Sequence, residues 1–192
     1  RGRYDRVFPL SACYLASEAS VALARAAGDL ARRDSISAYH QKRHTGILRV
    51  LATRESRHTG EVLAHIVASK DLPAFDRWVP ALRAACPQLA GVVLTVNKGL
   101  SGVSSQGSQR ILWGVDRFLE KLGPLLFEVQ VRSFFQVNSA QAQHLARLVV
   151  ERAALTGTER VLDLYCGTGT LALLMAAGPD GDRSRAAREV IG

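Results

Sequence analysis

The residues with the clearest chemical potential are two glycines near the end of the chain. Gly167 and Gly169 follow the mostly apolar segment 160–165, in which Asp163 is the single acidic residue. Glycines permit a sharp turn and let a ligand approach the backbone closely. The helix expected from Thr170 onward directs free N–H groups and a positive dipole end to the same point. The pattern therefore predicts a strand–turn–helix site for a nucleotide-like ligand that carries a carboxylate.

Two types of cofactor compete for this glycine loop. Residues 167–172 also match the G-x-G-x-x-G/A fingerprint of dinucleotide-binding folds. Such a fold usually runs an apolar strand directly into its first glycine and places an acid about 20 residues further on. Here Asp163 lies inside the strand, and Glu189 precedes the next one. An acid before a G-x-G turn resembles motif I of S-adenosylmethionine-dependent methyltransferases, which we prefer over a dinucleotide-dependent oxidoreductase or a turn without a ligand.

A second motif narrows the resemblance. Residues 133–138 read Ser-Phe-Phe-Gln-Val-Asn and precede the helix that leads to the glycine loop, where residues 163–170 read Asp-Leu-Tyr-Cys-Gly-Thr-Gly-Thr. Together they resemble the RNA uracil-C5 methyltransferase family, which acts on tRNA or 23S ribosomal RNA. Segments 43–46 and 53–62 also look like the central domain of that family. The resemblance spans most of the chain.

The resemblance implies roles for five residues in binding S-adenosylmethionine. Gln136 would hydrogen-bond the cofactor through its side-chain amide, and Tyr165 would lie against it. Thr170, where some relatives carry Asn, would contact it from the start of the helix, while Gly167 and Gly169 would shape the turn. Gln136 as the cap of a strand end and Tyr165 as a core residue are the structural alternatives.

The resemblance also implies a covalent mechanism whose nucleophile is absent from this chain. In the family a cysteine thiolate adds to C6 of uracil, C5 accepts the methyl group, and a base then removes the C5 proton. Cys166 belongs to the cofactor loop, and the attacking cysteine comes from a later motif. We therefore expect the nucleophile and base to lie beyond Gly192, the chain to be an inactive fragment, and none of its residues to be catalytic. A non-catalytic RNA-binding module with a degenerate glycine loop is the alternative.

Cysteine usage gives one further expectation. Cys13, Cys86 and Cys166 are widely spaced and odd in number, so a disulfide framework is not expected and a reducing cytoplasm fits. In the iron–sulfur-bearing members of the family, a cysteine placed like Cys13 is the last ligand of a 4Fe–4S cluster. Its three partners would lie upstream. A buried structural cysteine is the alternative at this position.

The charge distribution favours a polyanionic partner. The formal net charge is +8, and residues 1–60 hold 11 basic and 5 acidic side chains. Basic surfaces bind nucleic acid through its phosphates. We expect RNA contacts from Arg43, Arg49, Arg54 and Arg57, with a solvated basic surface as the alternative. No apolar run is long enough for a membrane span, and a monomer is the simplest expectation for the oligomeric state.

Apolar periodicity and turn residues predict an α/β fold in two parts. Hydrophobic residues make up 47% of the chain, which is enough for a core. Residues 1–131 would form an α+β central domain that faces RNA, and residues 132–192 would begin a doubly wound, Rossmann-like methyltransferase domain. Residues 99–108 are rich in Gly and Ser and predict a loop. Helices are predicted over 17–33, 75–85, 140–155 and 170–176, and strands over 47–54, 61–67, 92–96, 111–115, 127–131, 160–165 and 190–191.

Overall fold

The helices and strands follow one another in an irregular α/β order. The computed structural model describes residues 13–100 and 107–192. The helices are α1 (Glu18–Arg33), α2 (Pro73–Ala85), α3 (Ser139–Ala153) and α4 (Thr170–Ala177). The strands are β1 (Leu48–Glu55), β2 (Val62–Ala68), β3 (Leu89–Val96), β4 (Ser108–Gly114), β5 (Arg117–Leu122), β6 (Leu125–Gln130), β7 (Arg160–Leu162) and β8 (Glu189–Ile191). Two short 3-10 turns, Pro179–Gly181 and Arg183–Arg185, lie between α4 and β8.

A four-stranded mixed sheet is the centre of the first part of the chain. Its strand order is β1-β2-β3-β4. β1 and β2 are antiparallel and are joined by a turn that ends at Gly60, whose φ of 74° suits glycine. This confirms the hairpin predicted for residues 47–67. β2 and β3 are parallel, with α2 as the crossover between them, and β4 returns antiparallel to β3.

Helices α1 and α2 cover one face of this sheet. Ser17 caps α1 by accepting a hydrogen bond from the Ser20 N–H at 3.1 Å, so this helix begins where the sequence predicts. In α2, Phe75 and Trp78 are fully buried and meet edge to face, with ring centroids 5.1 Å apart. The indole N–H of Trp78 donates to the Asp34 carboxylate at 2.8 Å, which joins α2 to the end of α1.

The hairpin formed by β5 and β6 packs beneath the opposite face. Phe118, Leu122 and Val129 join Leu63 and Val93 of the sheet in a second apolar cluster. The sequence did not predict β5 because its inward positions alternate between apolar and acidic side chains. Glu120 faces inward between Phe118 and Leu122, so the segment lacks the regular alternation of apolar and polar residues that predicts a half-buried strand.

The last part of the chain is a smaller α/β unit. α3 and α4 pack together through Ala146, Val150 and Leu174, and β7 pairs in parallel with β8. β7 ends at Leu162 rather than at residue 165, so the predicted strand was too long. The backbone departs from the strand before the glycine loop, where Tyr165 adopts a φ of 65°.

Three further expectations meet the structure only in part. Of the predicted loop 99–108, residues 101–106 lie outside the described residues, and Ser108 already belongs to β4. Within the described ranges, no helix is long and apolar enough to cross a membrane. The division into residues 1–131 and 132–192 stays a prediction, since side chains from both parts share the second cluster.

Candidate functional site

The glycine loop turns sharply between β7 and α4. Gly167 and Gly169 have φ angles of 58° and 74°, a region that glycine enters without steric cost. The Gly169 N–H donates to the Cys166 carbonyl at 2.8 Å and closes the turn. Tyr165 also has a positive φ, and its side chain is fully exposed. Left-handed backbone at a non-glycine residue is uncommon and concentrates at functional sites.

An open cavity of about 230 Å³ brings the glycine loop together with a distant segment. Four of the five residues predicted to bind the cofactor line it: Gln136, Tyr165, Gly167 and Thr170. Gly169 shapes the turn but does not line the cavity. The other lining residues include two phenylalanines, one carboxylate, one hydroxyl and one thiol, namely Phe134, Phe135, Asp163, Thr168 and Cys166.

Gln136 is held in place by its neighbours rather than by its own side chain. Phe135 is buried in the second apolar cluster, and Asn138 caps α3 by accepting from the Gln141 N–H at 3.1 Å. Arg54 donates to the Ser133 carbonyl and ties the same segment to β1. Within the described residues, the amide of Gln136 makes no hydrogen bond, so it is available to a ligand.

A buried carboxylate joins the turn of the β1–β2 hairpin to the start of α3. Glu120 is 2% exposed and accepts from the backbone N–H groups of Arg57 (2.9 Å), His58 (3.2 Å) and Lys121 (3.0 Å). It also accepts from the Ser139 hydroxyl at 2.9 Å. Four donors to one carboxylate replace the water lost on burial. Nothing in the sequence indicates this role beyond an acidic residue at an inward strand position.

The four predicted RNA-binding arginines separate into two pairs. Arg49 donates to the carbonyls of Asn97 (2.8 Å) and Gly99 (2.7 Å) and lies 4.1 Å from the centre of the Tyr39 ring. Arg54 is half-buried, and burial lowers the pKa of its guanidinium. Both side chains therefore serve contacts within the chain.

The other pair has exposed side chains. Arg43 and Arg57 both point to solvent. Arg57 lines an open cleft of about 410 Å³ together with His58 and Lys121. Sequence reasoning missed Lys121 because it lies in the strand that was not predicted. Its exposure follows from the strand's alternation, which turns Lys121 outward while Glu120 faces inward.

The three cysteines occupy different environments. Cys86 is buried in the core, and burial raises the pKa of its thiol. Cys166 lines the cavity beside the glycine loop. Cys13 is exposed, and backbone hydrogen bonds from Leu15 and Ala16 lower its pKa. Over residues 13–100 and 107–192, no three His, Cys, Asp or Glu side chains are close enough to hold a metal ion. Cys13 would supply one ligand at most, and the 4Fe–4S cluster stays a prediction.

A parallel strand pair with a glycine loop and a following helix is an arrangement typical of nucleotide-binding α/β folds. No family model matches the sequence. Two curated relatives are uncharacterized RNA methyltransferases. The one from Halalkalibacterium halodurans is 31% identical over 175 residues, which is 91% of this chain and 38% of that protein. The one from Enterococcus faecalis is 34% identical over 149 residues, which is 77% of this chain and 33% of that protein.

A solved structure is also similar. It is the Pyrococcus abyssi tRNA (uracil-54, C5)-methyltransferase in complex with S-adenosyl-L-homocysteine, with a TM-score of 0.73 and 27% identity over 92% of this chain and 42% of that one. The chain spans less than half the length of each of these proteins. Over most of its length the chain is homologous to RNA methyltransferases, and the similar solved structure is a uracil-C5 methyltransferase of the kind that its motifs resemble.

Proposed function

We propose that this chain forms the cofactor-binding and RNA-facing part of an S-adenosylmethionine-dependent RNA uracil-C5 methyltransferase. The observation that carries the proposal is the cavity in which Gln136 meets the glycine loop, although about 30 residues separate them in sequence. The RNA methyltransferase relatives support the class of reaction. The uracil-C5 methyltransferase from Pyrococcus abyssi supports the base and position.

The lining of the cavity fits a nucleoside that carries an amino-acid tail. Apolar rings at Phe134 and Tyr165 offer surfaces for a flat base, while the amide of Gln136 and the hydroxyls of Thr168 and Thr170 offer hydrogen bonds. When bound, S-adenosylmethionine supplies a methyl group on a positively charged sulfur. The residues of this chain would bind and orient it, with Gln136 fixing one side and the glycine turn admitting it close to the backbone.

Methyl transfer needs a cysteine nucleophile that can reach C6 of the uracil ring, as the family resemblance implies. Of the three thiols, Cys86 is buried in the protein core, and Cys13 is not among the residues that line the cavity. Cys166 lies in the loop that would hold the cofactor. We therefore propose that the 192-residue chain binds cofactor and RNA but does not transfer methyl groups by itself.

Calorimetry with S-adenosylhomocysteine tests the cofactor. Gln136→Ala should weaken binding by about 1–3 kcal/mol, roughly five- to 150-fold in Kd, because a hydrogen bond to the ligand is lost. Gln141→Ala is the matched control, since the Gln141 side chain is exposed on α3 away from the cavity. Binding of NADH without binding of S-adenosylhomocysteine would overturn the proposal in favour of a dinucleotide site.

Incubation with uracil-containing RNA and labelled S-adenosylmethionine tests the lack of transfer. We expect no labelled uracil from the unaltered chain. Transfer that disappears in Cys166→Ser would contradict this expectation and identify Cys166 as the nucleophile.

A further inference from the structure

The cleft beside the β1–β2 turn brings Arg57, His58 and Lys121 together around one opening, with the buried Glu120 also in its lining. Within the described part of the chain, no ion pair engages these three side chains. Some exposed arginines elsewhere are paired with acids. Arg110 binds Asp71 and Asp76, and Arg117 binds Asp116 and Glu128. Two basic side chains without ion pairs, Arg57 and Lys121, beside one open cleft are available to an anion.

The backbone beneath the cleft is fixed. Glu120 holds the N–H groups of Arg57 and His58, and the Ser56 hydroxyl accepts from the N–H groups of His58 (3.1 Å) and Thr59 (3.0 Å). That hydroxyl also donates to the Leu119 carbonyl at 2.7 Å. The turn therefore cannot move relative to β5 without breaking several buried hydrogen bonds. Glu120 lines the cleft too, but its carboxylate already accepts four hydrogen bonds from the turn, from Lys121 and from Ser139.

The cleft also adjoins the segment that carries the cofactor cavity. Ser139, the first residue of α3, lines the cleft and donates to Glu120. It lies three residues after Gln136, which lines the cavity. An anionic chain held at Arg57 and Lys121 would therefore pass beside the cavity.

We propose that this cleft binds a phosphodiester of the RNA backbone through Arg57, His58 and Lys121, an inference that rests on the proposed function for its RNA. Of the four arginines predicted to contact RNA, this proposal keeps Arg57 and adds its neighbours His58 and Lys121. Arg49 and Arg54 stabilise the fold, while Arg57 and its two neighbours contact RNA. Phosphate contacts fix the register of the nucleic acid without reading its sequence.

The test is fluorescence anisotropy of a labelled single-stranded RNA with the full chain over a range of salt concentrations. The variant Arg57→Ala/Lys121→Ala is compared with Lys70→Ala/Arg152→Ala, which removes the same formal charge outside the cleft. We expect the cleft variant to flatten the logarithmic salt dependence by about 0.7 for each lost phosphate contact, and the control variant to leave it unchanged. Circular dichroism checks that both variants are folded.

The possible outcomes separate the two proposals. Equal losses in both variants would show general electrostatics and overturn the cleft while leaving RNA binding intact. Absence of salt-dependent RNA binding by the unaltered chain would overturn both. Amide resonances of Arg57 and His58 should shift with the oligonucleotide. Saturation of these shifts by inorganic phosphate alone, at matched ionic strength, would show a free-phosphate site and overturn the assignment to RNA.

Discussion

The four-stranded sheet and the β7–β8 unit differ in how completely their strands are covered. Every residue of β2 is buried, between the helices on one face and the β5–β6 hairpin on the other. β7 has three residues and pairs only with β8 among the described strands; its last residue, Leu162, is 64% exposed, and Leu164 just after it is 74% exposed. The well-buried four-stranded sheet thus carries few of the residues predicted to bind the cofactor. The β7–β8 unit carries most of them, and its strands are more exposed to solvent. Arg54 and Glu120 reach from the first part to the segment that introduces the second.

Amide hydrogen exchange should show the largest effect. Protection of a strand tracks the free energy of the opening that exposes it. We expect β2 and β3 to exchange roughly a thousandfold more slowly than β7, which corresponds to about 4 kcal/mol. Mass spectrometry of peptides from the exchanged protein makes the measurement. Similar protection in both units would mean that they unfold as one and would remove the contrast.

Two leucine substitutions make the same comparison by mutation. Leu82 is fully buried between α2 and the sheet, so Leu82→Ala should cost about 2–5 kcal/mol in the free energy of unfolding. Leu164→Ala should stay within about 0.5 kcal/mol because its side chain is already largely in water. Urea denaturation followed by circular dichroism measures both. A loss above 2 kcal/mol in the free energy of unfolding for Leu164→Ala would show that this side chain is buried, which contradicts the structure.

The buried His65 makes the stability of the sheet depend on pH. Its Nε2 lies 2.7 Å from the Thr95 hydroxyl oxygen. Burial, followed by the positive charges of Arg132 and Arg54, lowers its pKa from 6.5 to about 4. Since the unfolded chain binds a proton more readily, this stability is present above pH 6.5 and is lost as the pH falls towards 4. The loss amounts to roughly 3 kcal/mol.

The control for this prediction is His65→Phe, which removes the titrating group and keeps an aromatic ring of similar size. Unfolding free energies at pH 7, 5.5 and 4.5 should decline in the unaltered chain and decline less in the variant. Identical pH profiles would show that other groups dominate the acid response.

Glu120→Gln should weaken the connection between the two parts. The amide keeps the shape of the side chain but directs an N–H₂ group at backbone donors, at a cost of about 1.5–3 kcal/mol. Glu128→Gln, which removes an exposed partner of Arg117, should cost less than about 1 kcal/mol. Thermal unfolding compares the two variants. A larger loss of stability in Glu128→Gln than in Glu120→Gln would show that Glu120 does not hold the two parts together.

The sequence was sufficient where local chemistry determines structure. Ser17 as a cap, Gly60 in a hairpin turn and the Gly167–Gly169 loop were predicted from residue type alone, because each depends on its nearest neighbours. Gln136 was placed beside that loop only by family resemblance, since nothing local relates residues so far apart. Whether it binds the cofactor stays a prediction.

Sequence reasoning failed where a polar side chain is satisfied by distant partners. Glu120 was not singled out in the sequence, because its four donors come from three segments of the chain. Arg49 and Arg54 were predicted to contact RNA, which stays a prediction, but their hydrogen bonds to carbonyl groups more than 45 positions away were not foreseen. Burial of charge depends on tertiary contacts that neither periodicity nor composition reveals.

The positions of the two tryptophans have an optical consequence. Trp78 is fully buried beneath the sheet, and Trp113 lies on β4 with the Arg83 guanidinium 4.2 Å from its ring centre. The chain has no other tryptophan, so α3, β7 and α4 contain none. Tryptophan fluorescence, excited selectively near the red edge of protein absorption, will therefore report only on the sheet and its helices. Melting of the β7–β8 unit would leave that emission unchanged, and a probe placed near Tyr165 would be needed to observe it.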